Sequence, residues 1–164
     1  MATTLTKFKG GKELQDYLNQ LPAKIERNVM RSALRQGANV IRAEAQATVP
    51  VGKGDLRKSI KVKTRSKRGQ VSATIETKDF KAHWIEFGTQ PHEIKPSKTG
   101  GVLAFGDTIA KSVNHPGTQP QPFMQPAVDS KTSEAVLAVG EQIRKVLATK
   151  HGINTPAGLE VGDE

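Results

Sequence analysis

His83, Glu86 and His92 come nearest to a chemical site in this 164-residue chain. They lie in AHWIEFGTQPHEIKP, residues 82–96, which also holds the single tryptophan, Trp84. Two imidazoles and a carboxylate can bind a divalent metal or move a proton, so a metal-dependent hydrolase is one reading of the segment. The spacing opposes it. In a helix, His83 and Glu86 share a face; in a strand, a separation of three puts them on opposite faces. His92 would have to fold back across Gly88 and Pro91, and His115 lies two elements further on. Zinc needs three or more converging ligands, and the zinc-protease arrangement of histidines at i and i+4 around a glutamate is absent. No serine sits in a G-x-S-x-G elbow, and no glycine-rich dinucleotide fingerprint is present. The turn PVGKGDLRKSI lacks the lysine and hydroxyl that a phosphate loop places after its second glycine. The chain has no cysteine, which removes disulfides and thiolate ligands. The simpler reading makes His83 and Glu86 polar neighbours of Trp84, Ile85 and Phe87, which pack. No enzyme activity, cofactor, metal or small-molecule substrate is expected.

The second chemical feature is charge. The formal net charge is +9, with a pI near 9.9. Seven basic residues crowd positions 57–68: Arg57, Lys58, Lys61, Lys63, Arg65, Lys67 and Arg68, with no Asp or Glu between them. A row of this kind suits a polyanion or an acidic protein surface. Lysines on a strand also keep sheet edges from aggregating.

The elements that must carry these residues can be read from periodicity. Leu14, Leu18 and Leu21, then Ile25, Val29 and Ala33, recur at helical spacing, and Met30, Leu34, Ala38, Ile41 and Ala45 extend the stripe. A short helix is expected over 11–20 and a long one over 22–48, begun by Pro22 and stopped before Pro50. Gly37 lies inside the long helix, where it costs about 1 kcal/mol against alanine; close packing against another backbone would account for it. PVGKGDLRKSI reads as a glycine-rich turn. From Ile60 the period becomes two: Ile60, Val62 and Thr64 face one way, Lys61, Lys63 and Arg65 the other. SKRG turns the chain and QVSATIET alternates again, so the pair reads as a hairpin with one wet face. FKAHWIEF fits a strand or a short helix. HEIKP, GVLAF and TIAKSV are short strand candidates, and NHPGTQPQP reads as extended. A last helix is expected over 123–148, with Val128, Val136, Val139, Ile143 and Leu147 on its apolar face. The order points to an α+β domain, its long N-terminal and C-terminal helices packed on one face of a small, mostly antiparallel sheet. A single domain spans 11–149, between flexible tails at 1–10 and 150–164. No run is long and apolar enough for a membrane helix, and MATTLTKFKGG lacks the apolar block of a signal peptide.

Three stretches in order, PVGKGDLRKSI, HWIEFGTQPHEIKP and HPGTQPQPFMQPAVD, resemble the tail-completion or neck protein family of long-tailed bacteriophages and prophages, the lambda minor tail protein Z type. The resemblance covers about 11–149 and rests on Pro50, Val51, Gly54, Leu56, Arg57, Ser59 and Ile60. It continues through Glu86, Phe87, Gly88 and Thr89, then His115, Pro116, Gly117, Thr118, Pro120, Pro122, Phe123, Pro126 and Ala127. Lys53 stands where the family usually has threonine, and His83-Trp84 where tyrosine-alanine is common. The resemblance implies a non-enzymatic virion protein of the tail and neck, assembled in the host cytoplasm, that helps join the tail to the DNA-filled head. It implies a ring-shaped homo-oligomer, six-fold as a first expectation, with neck and tail-tube proteins as partners and packaged DNA nearby. The motif segments would then be fold and assembly signatures: Trp84 and Phe87 as apolar anchors, Gly88 a turn with positive φ, Thr89 a local hydrogen-bonder. Phe123 would dock as a plug, within its own chain or into a neighbour. A free-standing basic nucleic-acid-binding protein is the alternative that the charge alone supports.

Overall fold

An apolar stripe as long as that from Ile25 to Ala45 has to be covered, and in this chain a second helix covers it. A computed structural model describes residues 8–9, 11–19, 23–50, 54–97, 100–152 and 160–161. In chain order the elements are β1 (Phe8–Lys9), α1 (Gly11–Leu18), α2 (Ala23–Thr48), α3 (Asp55–Ser59), β2 (Lys61–Lys67), β3 (Gln70–Glu76), α4 (Lys81–Phe87), β4 (His92–Ile94), β5 (Leu103–Phe105), β6 (Thr108–Ala110), β7 (Val113–His115), α5 (Met124–His151) and β8 (Glu160–Val161). The described residues within 1–78 and 123–164 make one compact unit; those within 79–122 make a second.

In the first unit, α2 and α5 run along each other over most of their length. Leu18, Val29, Ala33, Ile143, Val146 and Leu147 form its buried core, with Ile25, Met30 and Val139 half-buried around them. No aromatic ring belongs to this cluster, as the low aromatic content requires. Gly37 explains how the helices come so close. A Cβ there would stand 2.6 Å from Val139 Cγ2 and 2.8 Å from the carbonyl oxygen of Ala135, so the close approach expected from sequence is a helix–helix contact. α2 ends at Thr48, before Pro50, whose ring cannot continue a helix. Pro126 sits in the first turn of α5, where its missing N–H leaves no bond unmade. Gly152 closes that helix in the left-handed conformation (φ 63°), its N–H donating to the Leu147 carbonyl.

α2 also lies against the β2–β3 hairpin. The strands pair antiparallel from Lys61 opposite Glu76 to Lys67 opposite Gln70. Arg68 (φ 52°) and Gly69 (φ 83°) form the two-residue turn, both left-handed, as a tight hairpin requires. Val62, Thr64 and Ser66 are half-buried, and Arg35 Nη2 donates to Thr64 Oγ1 at 3.3 Å.

The α+β class stands as read. Its layering differs in detail: the strands form four separate two-stranded antiparallel pairs, β1–β8, β2–β3, β4–β7 and β5–β6, and α5 packs on α2. Small residues at the crossing, Gly37 and Ala135, let the helices satisfy each other. Leu34, expected in the core, is half-buried and lines an open groove. PVGKGDLRKSI is more than a turn, since Asp55–Ser59 closes into a short helix. At the ends, Phe8 pairs with Val161 and Lys9 with Glu160; the rest of 1–10 and 153–164 lies outside the described residues.

In the second unit FKAHWIEF resolves as the helix α4. β4 pairs with β7, setting His92 opposite His115, and β5 pairs with β6, setting Ala104 opposite Ile109. Thr89 and Thr118 form a further antiparallel bridge.

Candidate functional site

That bridge explains two of the three motifs. Thr89 N–H donates to the Thr118 carbonyl at 3.0 Å, and Thr118 N–H donates to the Thr89 carbonyl at 3.1 Å. Each threonine follows a glycine with positive φ, +71° at Gly88 and +86° at Gly117. A Cβ on Gly88 would press into the Thr118 carbonyl oxygen, and one on Gly117 into the Thr89 carbonyl oxygen. The two Gly-Thr pairs therefore form a reciprocal clamp that only glycine permits at both sites. His115 adds a pin: its Nδ1 accepts from the Gly117 N–H at 3.0 Å. Gln121 N–H donates to the Ile85 carbonyl at 2.7 Å and ties the proline-rich arm of Pro116, Pro120 and Pro122 to α4. The local role foreseen for Thr89 is thus performed by its backbone. Its Oγ1 is buried with no hydrogen-bond partner among the described residues.

The ligand-type residues do not converge. His83 stacks against Phe87 at 4.9 Å between ring centroids, whereas His92 stacks against His115 at 5.1 Å. Because His115 Nδ1 accepts the Gly117 N–H, its neutral ring carries the proton on Nε2, and neither nitrogen then offers a free lone pair to a metal. His92 Nδ1 lies 2.9 Å from the Gln90 carbonyl, which accepts from it. Among the described residues no three His, Asp or Glu side chains lie close enough to share an ion. Glu86 is half-buried on α4. Trp84 and Phe87, expected to pack as anchors, are 49% and 69% exposed, and Phe80, stacked edge-on against Trp84, is 65% exposed. Their positions at i, i+4 and i+7 put the aromatics on one side of a helix too short to bury them.

The first motif is also spent on the backbone. Pro50 follows the end of α2, and Val51 lies outside the described residues. Gly54 is left-handed (φ 78°) and starts α3; Leu56 and Ile60 are buried. Ser59 Oγ donates to the Leu56 carbonyl at 2.7 Å. Gln46 Nε2 reaches from α2 to the Arg57 carbonyl at 2.9 Å and the Ile60 carbonyl at 3.2 Å. In the third motif, Phe123 is 2% exposed and Ala127 fully buried, with Thr48 Oγ1 donating to the Phe123 carbonyl at 3.4 Å. The plug is therefore an intrachain one.

The basic row stands where the alternation placed it. Lys61, Lys63, Arg65 and Lys67 are exposed along β2, with Arg68 exposed in the turn. Successive members are about 7 Å apart. Opposite them on β3 stand Glu76, Thr74, Ser72 and Gln70. Lys63 forms an ion pair with Glu76, which a scan of positions 57–68 could not reveal because the carboxylate arrives from the partner strand. The other outward neighbours on β3 are two hydroxyls and an amide. The face offers cationic and neutral donors side by side, a set that suits phosphate oxygens.

These features define a scaffold: an α+β chain whose sequence signatures hold its own backbone in shape, with one strongly basic strand face. Residues 12–88 match the model of the HK97-gp10-like family, described as "Bacteriophage HK97-gp10, putative tail-component". The match takes in the first motif and the second as far as Gly88; the third motif and α5 lie beyond it. No curated protein and no solved structure matches the chain. Among the described residues no helix is long and apolar enough to cross a membrane.

Proposed function

We propose that this chain is a non-enzymatic structural protein of a bacteriophage neck and tail, which completes the tail and joins it to the DNA-filled head. The family match over residues 12–88 carries the reading, because it ties the fold to phage tail components. The finer placement is supported by the outward row of Lys61, Lys63, Arg65, Lys67 and Arg68. Like charges at 7 Å repel, so such a row is stabilised beside a polyanion. In a ring of copies, six being the number the resemblance implies, it would line a rim or channel with positive potential where packaged DNA passes or ends. The partners are then other copies of this chain, neck and tail-tube proteins, and DNA. The site is the virion, after assembly in the host cytoplasm.

The test reverses Lys61, Lys63 and Arg65 to glutamate together. All three side chains are exposed, so the fold should survive, as circular dichroism can verify. Phage carrying the variant should make filled heads and finished tails that fail to join, or joined particles that lose DNA. An unchanged infectious titre would refute a DNA-facing role for the row.

A further inference from the structure

α2, β3 and α5 enclose an apolar groove of about 510 Å³. Leu34 and Ile41 come from α2, Val128 and Val136 from α5, and the only polar side chains along it are Thr74 and Thr132. A small-molecule site of this size normally carries convergent polar groups that orient its ligand; this one does not. Its third wall is formed by Ala73, Thr74 and Ile75. Three consecutive strand residues point to alternate faces, so their joint presence means that β3 turns its edge to the groove. Among the described residues β3 pairs only with β2, which leaves that edge open. An open edge above an apolar floor is the shape that accepts an added β-strand.

The same chain carries a hairpin in need of such a site. β5–β6 is a two-stranded sheet of three-residue strands, a size that is marginal in water without a covering partner. It is largely apolar on both faces: Leu103, Phe105 and Ala110 with Thr108 on one, Ala104 and Ile109 on the other. Val102, Phe105 and Ile109 are 55%, 51% and 69% exposed.

We infer that the β5–β6 hairpin of one copy seats in the α2–β3–α5 groove of the next, extending its β2–β3 sheet. This rests on the ring proposed above and says which surfaces close it. Hairpin and groove are different surfaces, so the contact is head-to-tail, the type that generates rings when the rotation closes. The area fits a ring better than a pair. Phe105 and Ile109 lie on opposite faces, so even full cover of the three half-exposed apolar side chains sets an upper bound on the order of 300 Å², well short of the roughly 800 Å² per partner of a stable dimer. In a closed ring each copy makes the contact twice, once with its hairpin and once with its groove. The added strands would also carry the sheet on past the edge opposite the basic strand β2, leaving the row of lysines uncovered.

The chain has no cysteine, so introduced thiols give a clean test. Full-length Ile109→Cys and Val128→Cys proteins, mixed at about 100 µM and treated with a short bis-maleimide, should give a covalent dimer that neither gives alone. Ile109→Asp and Val128→Asp should each weaken self-association about tenfold to a hundredfold, the effect of losing one buried aliphatic side chain. Circular dichroism and Trp84 fluorescence of both variants should match those of the parent. Three results would overturn the inference: a monomer at that concentration, an oligomer whose mixed thiols do not crosslink, or an Ile109→Cys/Val128→Cys double variant that crosslinks within one chain. If the crosslink fails while reversal of the basic row still abolishes joining, the interface is wrong and the neck role stands. A crosslink with an unaffected titre has the opposite meaning.

Discussion

Gly117→Ala should unfold the clamp of the second unit, and Gly106→Ala supplies its control. Both glycines are left-handed, with φ of 86° and 58°. An alanine in that region costs about 1–2 kcal/mol. At Gly106 nothing lies within 4 Å of the new Cβ, so that cost stands alone. At Gly117 the Cβ meets the Thr89 carbonyl oxygen, which is backbone and is held by the Thr118 N–H. The two bridge hydrogen bonds cannot both survive, and each contributes about 0.5–1.5 kcal/mol. With one or both lost, the total for Gly117→Ala is about 1.5–5 kcal/mol, and the excess over Gly106→Ala about 0.5–3 kcal/mol. The entropy that alanine removes from the unfolded chain is common to both variants and cancels. Trp84 lies in α4 of the same unit, so urea unfolding followed by its fluorescence reads the right region. Hydrogen exchange at the Thr89 and Thr118 amides adds a local measure. Equal losses for the two variants, or exchange at Thr89 unchanged by Gly117→Ala, would refute the clamp.

Phe123→Ala should cost about 3–5 kcal/mol, as for a fully buried ring, and a loss below 1 kcal/mol by denaturant titration would show that the ring is not core. Leu34→Ala should cost only about 1 kcal/mol, because its side chain is half-exposed at the groove and loses mainly a transfer term; a loss of 4 kcal/mol would place it in the core after all. Glu76→Gln removes the carboxylate that pairs with Lys63, so affinity for a DNA duplex should rise and the salt dependence steepen by about one phosphate contact, roughly 0.9 in log–log slope. A slope that does not change would mean that Lys63 is not turned toward DNA.

Periodicity alone made α1, α2, α5 and the first hairpin legible, while α3 reads as a turn and α4 as either strand or helix. The stripe from Ile25 to Ala45 gave α2 to within a residue of its described start, and Gly37 announced a close approach before any partner was known. Alternation from Ile60 placed the outward lysines correctly. What the sequence hid depends on pairing between distant residues. Glu76 neutralises part of the basic row only because the hairpin register brings it beside Lys63. Gly88-Thr89 and Gly117-Thr118 share a pattern, but nothing local says that two segments so far apart lock each other. Trp84 and Phe87 were read as anchors because large aromatics usually pack; α4 is too short, and its unit too small, to bury them. Of the ligand-type residues weighed as a metal site, the same pairing sets His92 against His115 and leaves His83 on α4.

Head–tail joining in the absence of the protein tests the central claim most directly. A phage genome in which this reading frame is interrupted should yield DNA-filled heads and full-length tails that sediment separately. Adding the purified full-length chain to that lysate should restore infectious particles. Infectious particles formed without it, or an interrupted genome that leaves heads empty or tails unmade, would contradict the account.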